Sequence, residues 1–401
     1  MALEAPSERA AALRAAAWRG LPLLIGGVIA LNMAQGMYNG VFNNFAVGDL
    51  GIQPLQIGLV EAVRESSGLL CLGVAALSAR VSLPRLAAVA LLLMGVGMAA
   101  TGRADTIGFL AIASFVWGLG FHTFSPIQST MSLQLAASRG SAGERAARGG
   151  TILGQMNSVG ALAGPVGTLL MLAILPLVGG LRGIFLPAGA VAFAGGLALL
   201  FLRGTPHRDR PRWVVRRRYL PYYVLTLIDG GRKQILITFV VYAIVAVYHA
   251  PVQVVAVLLF VSSILTLVAA PRVGRLIRDR GERWVLLASG LLLVPIFAGY
   301  ALTSSEIVMM ALYLADNALF TSNVALTTWV HRQAPEADLS PTLSVGITVN
   351  HVSSVIVPVV AGLLWERLGY HVIFWGGVGV ALLGVIFTLR LLPKADHLAE
   401  A

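Results

Sequence analysis

The chain has 401 residues, 57% of them hydrophobic and only 12% charged, and a formal charge of +11. So apolar a composition excludes a soluble globular protein and points to an integral membrane protein. The single cysteine, Cys71, lies in an apolar run and excludes an intrachain disulfide framework or a cysteine-based metal cluster; it reads as a small core residue.

The first twenty residues, MALEAPSERAAALRAAAWRG, carry charge but no short apolar core with a small-residue cleavage site, so the first span is expected to be retained. Apolar runs then recur to the C-terminus, and about twenty helical residues suffice to cross roughly 30 Å of hydrocarbon. Bounded by Pro, Gly and charge, they place twelve helical spans near 20–46, 54–79, 84–102, 106–135, 150–177, 183–202, 219–247, 252–272, 284–303, 307–330, 342–365 and 372–392. The expected fold class is all-α and membrane-spanning.

In chain order, span one carries NMAQGMYNG, whose Asn32, Gln35, Tyr38 and Asn39 are too polar to face lipid. Span two contains EAVRE, with Glu61, Arg64 and Glu65. His122 in span four and His351 in span eleven are histidines able to titrate near neutral pH. Span seven holds DGGRK, with Asp229, Arg232 and Lys233, and span ten holds Asp316 and Asn317. An unpaired charge at mid-membrane costs roughly 2.5–3.5 kcal/mol on insertion scales, so these groups imply partners or water.

Within spans two and seven the charges fall at i, i+3 and i+4, one arc of each helix. Glu61 can pair with Arg64 and Asp229 with Arg232, leaving Glu65 and Lys233 of opposite sign. By helical rise Glu61 and the Arg232–Lys233 pair lie at similar depth. An ion pair between spans two and seven that closes the outer side is therefore expected; the alternatives are a static packing network or groups that bind substrate or carry protons.

Charge distribution sets the orientation. Of 29 Lys and Arg, 23 fall at the two termini and in the five loops that an N-in topology of twelve spans places inside, near 80–85, 138–149, 203–218, 272–283 and 331–341. Both termini are thus expected in the cytoplasm, with the chain multi-pass in the cytoplasmic membrane. The basic stretches at 203–218 and 271–283 would lie against an anionic inner leaflet, which accounts for the net charge without nucleic acid.

Cut in the 203–218 loop, the two parts of the chain repeat. PLQIGLV from Pro54 resembles PVQVVAV from Pro251, and Asn157 precedes Pro165 by eight residues as Asn350 precedes Pro358. This predicts a six-span half at 1–202, a linker at 203–218 and a six-span half at 219–401, the design of a transporter with its site between parallel repeats.

On these features the chain resembles the major facilitator superfamily over its full length. GRLIRDRGER resembles that family's signature loop: Gly274, Leu276, Gly281 and Arg283 keep the register, while Asp279 and Arg280 are shifted by one. The first-half counterpart, LSARVSLPRL, keeps Arg80 and Arg85 but has no acid. GALAGPVG in span five, with Gly160, Gly164 and Pro165, resembles the Gly-Pro motif of exporters working by antiport; the same residues suit close helix packing. The resemblance implies a cavity lined by the first spans of each half and by span ten, which agrees with Asn32, Gln35, Tyr38 and Asn39 in span one and Asn317 in span ten; His122, Asn157 and Asn350 are further candidate cavity groups. Ser114 stands where many family exporters carry a span-four arginine, and span one has no acid. Coupling would then rest on Glu61, Arg64, Glu65, Asp229, Arg232, Lys233 and Asp316.

No Walker, His-Glu-x-x-His or Gly-x-Ser-x-Gly sequence occurs, so neither catalysis nor ATP drive is expected, and no cofactor or metal is implied. The expectation is a monomeric secondary transporter that exports a small organic or drug-like compound in exchange for protons. Uptake of an organic anion with protons, held by Arg64, Arg232 or Lys233, is the alternative; a non-transporting sensor or lipid scramblase on the same scaffold is the third.

Overall fold

A computed structural model of the chain describes residues 20–70, 80–137, 142–202 and 215–392. The N-terminal segment, Cys71 and most of the basic linker lie outside the described residues. The described chain is a succession of helices, all-α as expected. Ten of them are long and apolar enough to cross a membrane, namely spans one, three to six and eight to twelve.

The two expected spans outside that set are span two, whose residues 71–79 lie outside the described residues, and span seven, whose α-helix is interrupted. Span two is helical over Pro54–Ser66 and tightens into a 3-10 turn at Ser67–Leu70. Span seven is helical over Leu220–Gln234, widens to π-helix over Ile235–Val240 and ends in a short helix, Val241–Ala246. Span ten follows the same habit: Glu306–Phe320, a 3-10 turn at Thr321–Asn323, then Val324–Gln333. In all three, α geometry is lost within about five residues after the last charge, and such breaks are tolerated at membrane depth where they lie buried in protein.

Several boundaries differ from those expected, for one reason. The stretch near 272–283 was expected as a loop, but span eight is one helix over Val252–Arg280, and the loop shrinks to Gly281 at φ 82°, ψ 161°. At 29 residues it exceeds the roughly twenty needed to cross by about nine; a charged sequence stays helical where water can receive its side chains. Span eleven likewise covers Glu336–Leu368 and runs into span twelve, Tyr370–Leu391, through Gly369 at φ 86°. Span five starts early, at Ala142.

Two compact units divide the chain. The first comprises Met1–Asn39, Gly73–Arg103 and Val116–Arg210. In it spans one and five approach so closely that a Cβ on Gly36 would overlap the Gly164 carbonyl, and Thr168 donates to the Gly36 carbonyl at 3.2 Å. Spans three (Leu83–Thr101) and six (Leu181–Leu199) meet in the same way at Gly95 and Gly189. Without a hydrophobic drive between helices in lipid, such contact of small residues is what holds spans together.

The second unit comprises Gly40–Leu72, Ala104–Phe115 and Pro211–Ala401, so span two packs among spans of the C-terminal part. Its closest neighbour is span eleven: a Cβ on Gly58 would overlap the Pro358 carbonyl. Nearer the helix ends, Tyr219, Tyr222, Tyr223, Leu326 and Trp329 form a buried cluster.

Candidate functional site

The intramembrane charges gather into two buried clusters, both inside the second unit. The first joins spans seven and ten. The i, i+3 spacing brings Arg232 back onto Asp229, with Nη2 and Nε at 3.0 and 3.2 Å from Oδ1. The other guanidinium nitrogen, Nη1, donates to Asp316 Oδ1 at 3.0 Å, and the guanidinium lies 5.5 Å from the Phe320 ring centre. Asp316 is wholly buried and Arg232 is 4% exposed. Asn323, in the 3-10 turn, donates to Asp229 Oδ2 at 2.5 Å. One arginine is thus shared by two carboxylates, giving a formal charge of −1. Asp316 Oδ2 has no hydrogen-bond partner among the described residues.

The second cluster joins spans two and eleven. Arg64 pairs with Glu61, Nη1 to Oε1 at 2.7 Å, and with Glu65, Nη2 to Oε1 at 3.2 Å. Across the helix interface His351 Nδ1 lies 3.2 Å from Glu65 Oε2. Gly68 leaves the room for that imidazole, since a Cβ there would overlap the ring. Three further bonds fasten the same region: Asn44 donates to the Ala250 carbonyl at 2.8 Å, Tyr242 to the Ile52 carbonyl at 2.7 Å, and the Leu55 N–H to Glu366 at 3.0 Å.

The expected pair of Glu65 with Lys233 is not made. Glu65 is taken by Arg64 and His351, and Lys233 has no ion pair among the described residues, although its charge acts on Glu61. Adjacent residues on a helix point about 100° apart. When Arg232 turns inward to span ten, Lys233 is swung away from that direction.

The remaining expected groups fall in different settings. In the first unit Asn32 and Gln35 are half-buried, Asn39 and Asn157 are exposed, and His122 is buried with its ring edge-on to Phe121. Tyr38 is buried between Trp117 and Phe185, ring centres 5.1 and 5.2 Å away, so it packs rather than lining open space. Gly160 lies against the Asn32 amide, and the Gly164 carbonyl meets Gly36. In the second unit Asn350 donates to the Thr226 carbonyl at 3.4 Å, and Asn317 to the Tyr313 carbonyl at 3.0 Å. Of the signature-loop residues, Gly274, Asp279 and Arg280 ride on the last turns of span eight. Gly281 makes the turn, and Arg283 donates to the Leu389 carbonyl at 3.1 Å.

Sequence reasoning missed Asn323 and Asp338. Asn323 sits seven residues after Asp316, and only the intervening 3-10 turn brings it to Asp229. Asp338, on the helix just ahead of the membrane-crossing part of span eleven, Pro341–Leu368, gathers Arg216 at 3.1 Å, Arg218 at 2.5 Å and the Tyr219 hydroxyl at 2.9 Å. Burial pushes its carboxyl up, but bonds from Tyr219 and Arg218 and the two arginine charges outweigh that, holding it below the usual carboxylate range. Three donors converging from the end of the basic linker were legible only as a charge run.

Comparison with known proteins agrees with this architecture. The family model of the Major Facilitator Superfamily matches residues 222–401. No curated protein matches the chain in sequence. Among solved structures, the nucleoside transporter NupG superposes with a TM-score of 0.77 at 11% identity, covering 93% of this chain and 100% of that one. A bacterial homologue of the human lysosomal transporter Spinster, in an inward-facing and occupied conformation, gives a TM-score of 0.73 at 15% identity, covering 93% of this chain and 96% of that one. Identities this low establish the fold and carry no substrate across. The chain thus shares its fold nearly end to end with these two proteins, and its residues 222–401 match the family model of the Major Facilitator Superfamily.

Proposed function

We propose that the protein exports a small organic, drug-like compound across the cytoplasmic membrane in exchange for protons, by alternating access of two six-span halves, 1–202 and 219–401. The observation that carries this reading is Arg232 shared by Asp229 and Asp316. The buried trio has a formal charge of −1 and becomes neutral on taking one proton, the arithmetic a proton-coupled cycle requires. The cluster of Glu61, Arg64, Glu65 and His351, with its backbone ties between spans two, seven and eleven, supports an outer gate that must part when the cavity opens outward. Export rests on the span-five Gly-Pro motif, the N-in orientation on the distribution of Lys and Arg. We take the transporter to be a monomer whose basic linker lies on the anionic inner leaflet.

Uptake of an organic anion is the weaker reading, because Arg64 and Arg232 each already hold two carboxylates. Lys233 is the one intramembrane cation left for an anionic solute among the described residues. The test is flux in proteoliposomes under an imposed pH gradient, using a panel of lipophilic cations, organic anions and nucleosides. Gradient-driven movement of a lipophilic cation, lost in Asp229→Asn and Asp316→Asn while solute exchange persists, is expected. A parent that ignores the gradient for every solute removes the coupling, and a response confined to anions reverses the direction.

A further inference from the structure

Asp229 and Arg232 do not face packed side chains alone. A pocket opens against them, walled by spans seven, nine (Glu282–Leu302), ten and twelve, all within the second unit. Its polar lining is Asp229, Arg232, Ser289, Ser322, Asn323 and Thr388, and it has room for several water molecules. It starts at the charged trio and runs along the helices toward one set of ends. Thr388 lies three residues from the end of span twelve at Leu391, and Leu286 four residues after the start of span nine at Glu282. The Lys and Arg distribution puts those ends on the cytoplasmic side.

The wall chemistry selects the occupant. Ser289, Ser322 and Thr388 each donate to a carbonyl of their own helix, at 3.1, 2.7 and 2.7 Å. What they turn to the pocket is lone pairs, beside the Asp229 carboxylate. Such hydroxyl oxygens receive donors such as water. Leu225 and Leu326, at the inner end, also belong to the buried cluster with Tyr222, Tyr223 and Trp329, an apolar floor that limits leakage.

We propose that this pocket is a water-filled path by which protons pass between Asp229 and the cytoplasm, inside the helix bundle of the second half. The inference rests on the proton-coupling reading and names the route that reading needs. In the release step the O–H bond of protonated Asp229 breaks and a pocket water takes the proton to become hydronium; the carboxylate left behind re-forms its bonds to Arg232 and Asn323. Around Asp229 the charged and titratable groups are Arg232 and Lys233 on its own span, Asp316 on span ten and Tyr300 on span nine. Span eleven presents Asn350 and Ser353 beside Gly230, and the span-twelve lining, Val380, Ala381, Gly384 and Thr388, is uncharged.

Water access is read directly by thiol chemistry, because only a hydrated thiol ionises and reacts. In a Cys71→Ala background, single variants Ser289→Cys and Gly384→Cys are exposed to a small water-soluble methanethiosulfonate in inside-out vesicles. Modification at least about tenfold faster than at Gly379→Cys, an exposed span-twelve position with no neighbour within 4 Å, is expected. Widening the floor with Leu326→Ala should raise the rate further. Infrared spectroscopy supplies the second reading, following the carboxyl band that disappears in Asp229→Asn. Gly384→Leu fills the pocket, with room for its Cβ 3.6 Å from Ile228, and should slow the response of that band to a pH jump relative to Gly379→Leu. A band that titrates equally fast in both, or pocket cysteines no more reactive than Gly379→Cys, overturns the path alone. The absence of any titrating band overturns the coupling reading and the path with it.

Discussion

Arg232 on span seven and Asp316 on span ten are joined by a 3.0 Å ion pair, with 4% of Arg232 and none of Asp316 exposed. Removing the cation strands two carboxylates in the bundle, whereas amidating Asp316 keeps its shape and takes the trio to neutrality. Arg232→Gln should therefore cost about 3–5 kcal/mol, and Asp316→Asn markedly less. Thermal unfolding of the purified protein in detergent decides the order. Equal melting temperatures for the two variants would show that the trio is not an interdependent unit.

Spans two and eleven touch through backbone at Gly58 and Pro358. A side chain there has nowhere to go, because its neighbour is a main-chain carbonyl and not the tip of a flexible side chain. Gly58→Val should lower stability by about 1–3 kcal/mol through overpacking. Gly376→Val, with no neighbour within 4 Å, should leave the melting temperature nearly unchanged. The same substitution at Gly58 should speed alkylation of Asn44→Cys, whose native amide bonds Ala250, if the contact is part of a gate. Unchanged alkylation beside a lowered melting temperature would mark the contact as packing only.

What could be read from the chain beforehand follows from period and charge. The spans and the pairings within one helix depend on local spacing, and Glu61 with Arg64 and Asp229 with Arg232 needed only three residues of separation. The partner across helices depends on rotation about each axis, which depth alone does not specify. Hence Lys233 was expected at Glu65, where His351 stands. The π-helix at Ile235–Val240 and the 3-10 turn that delivers Asn323 leave no trace in hydrophobic periodicity, because either shifts phase by less than a turn. Charge does not mark a helix end where the helix runs on into water, as at Arg272 to Arg280.

Asp338 gives a pH signature outside the membrane. Its folded carboxyl lies below the ordinary 3.8, so the stability it contributes is fully present above that value and is lost as pH falls through the lower, folded value. The melting difference between the parent and Asp338→Asn should be flat from neutral pH down to the ordinary carboxylate value and shrink only below it. A difference that fades between pH 8 and 5 would mean that another group carries it.

The two glycines of the signature loop should respond in opposite ways. Gly281 makes the whole turn between spans eight and nine at φ 82°, ψ 161°, a backbone region that side-chain-bearing residues avoid at a cost of about 1–3 kcal/mol. Gly274, seven residues earlier, is inside the helix with no neighbour within 4 Å, so a methyl group meets nothing and relieves the entropy of glycine in a helix. Gly281→Ala should therefore lower the melting temperature, and Gly274→Ala should stabilise by about 0.5–1 kcal/mol. If Gly274→Ala instead impairs gradient-driven flux while raising stability, the open face of span eight at that glycine is used by a second conformation of the cycle.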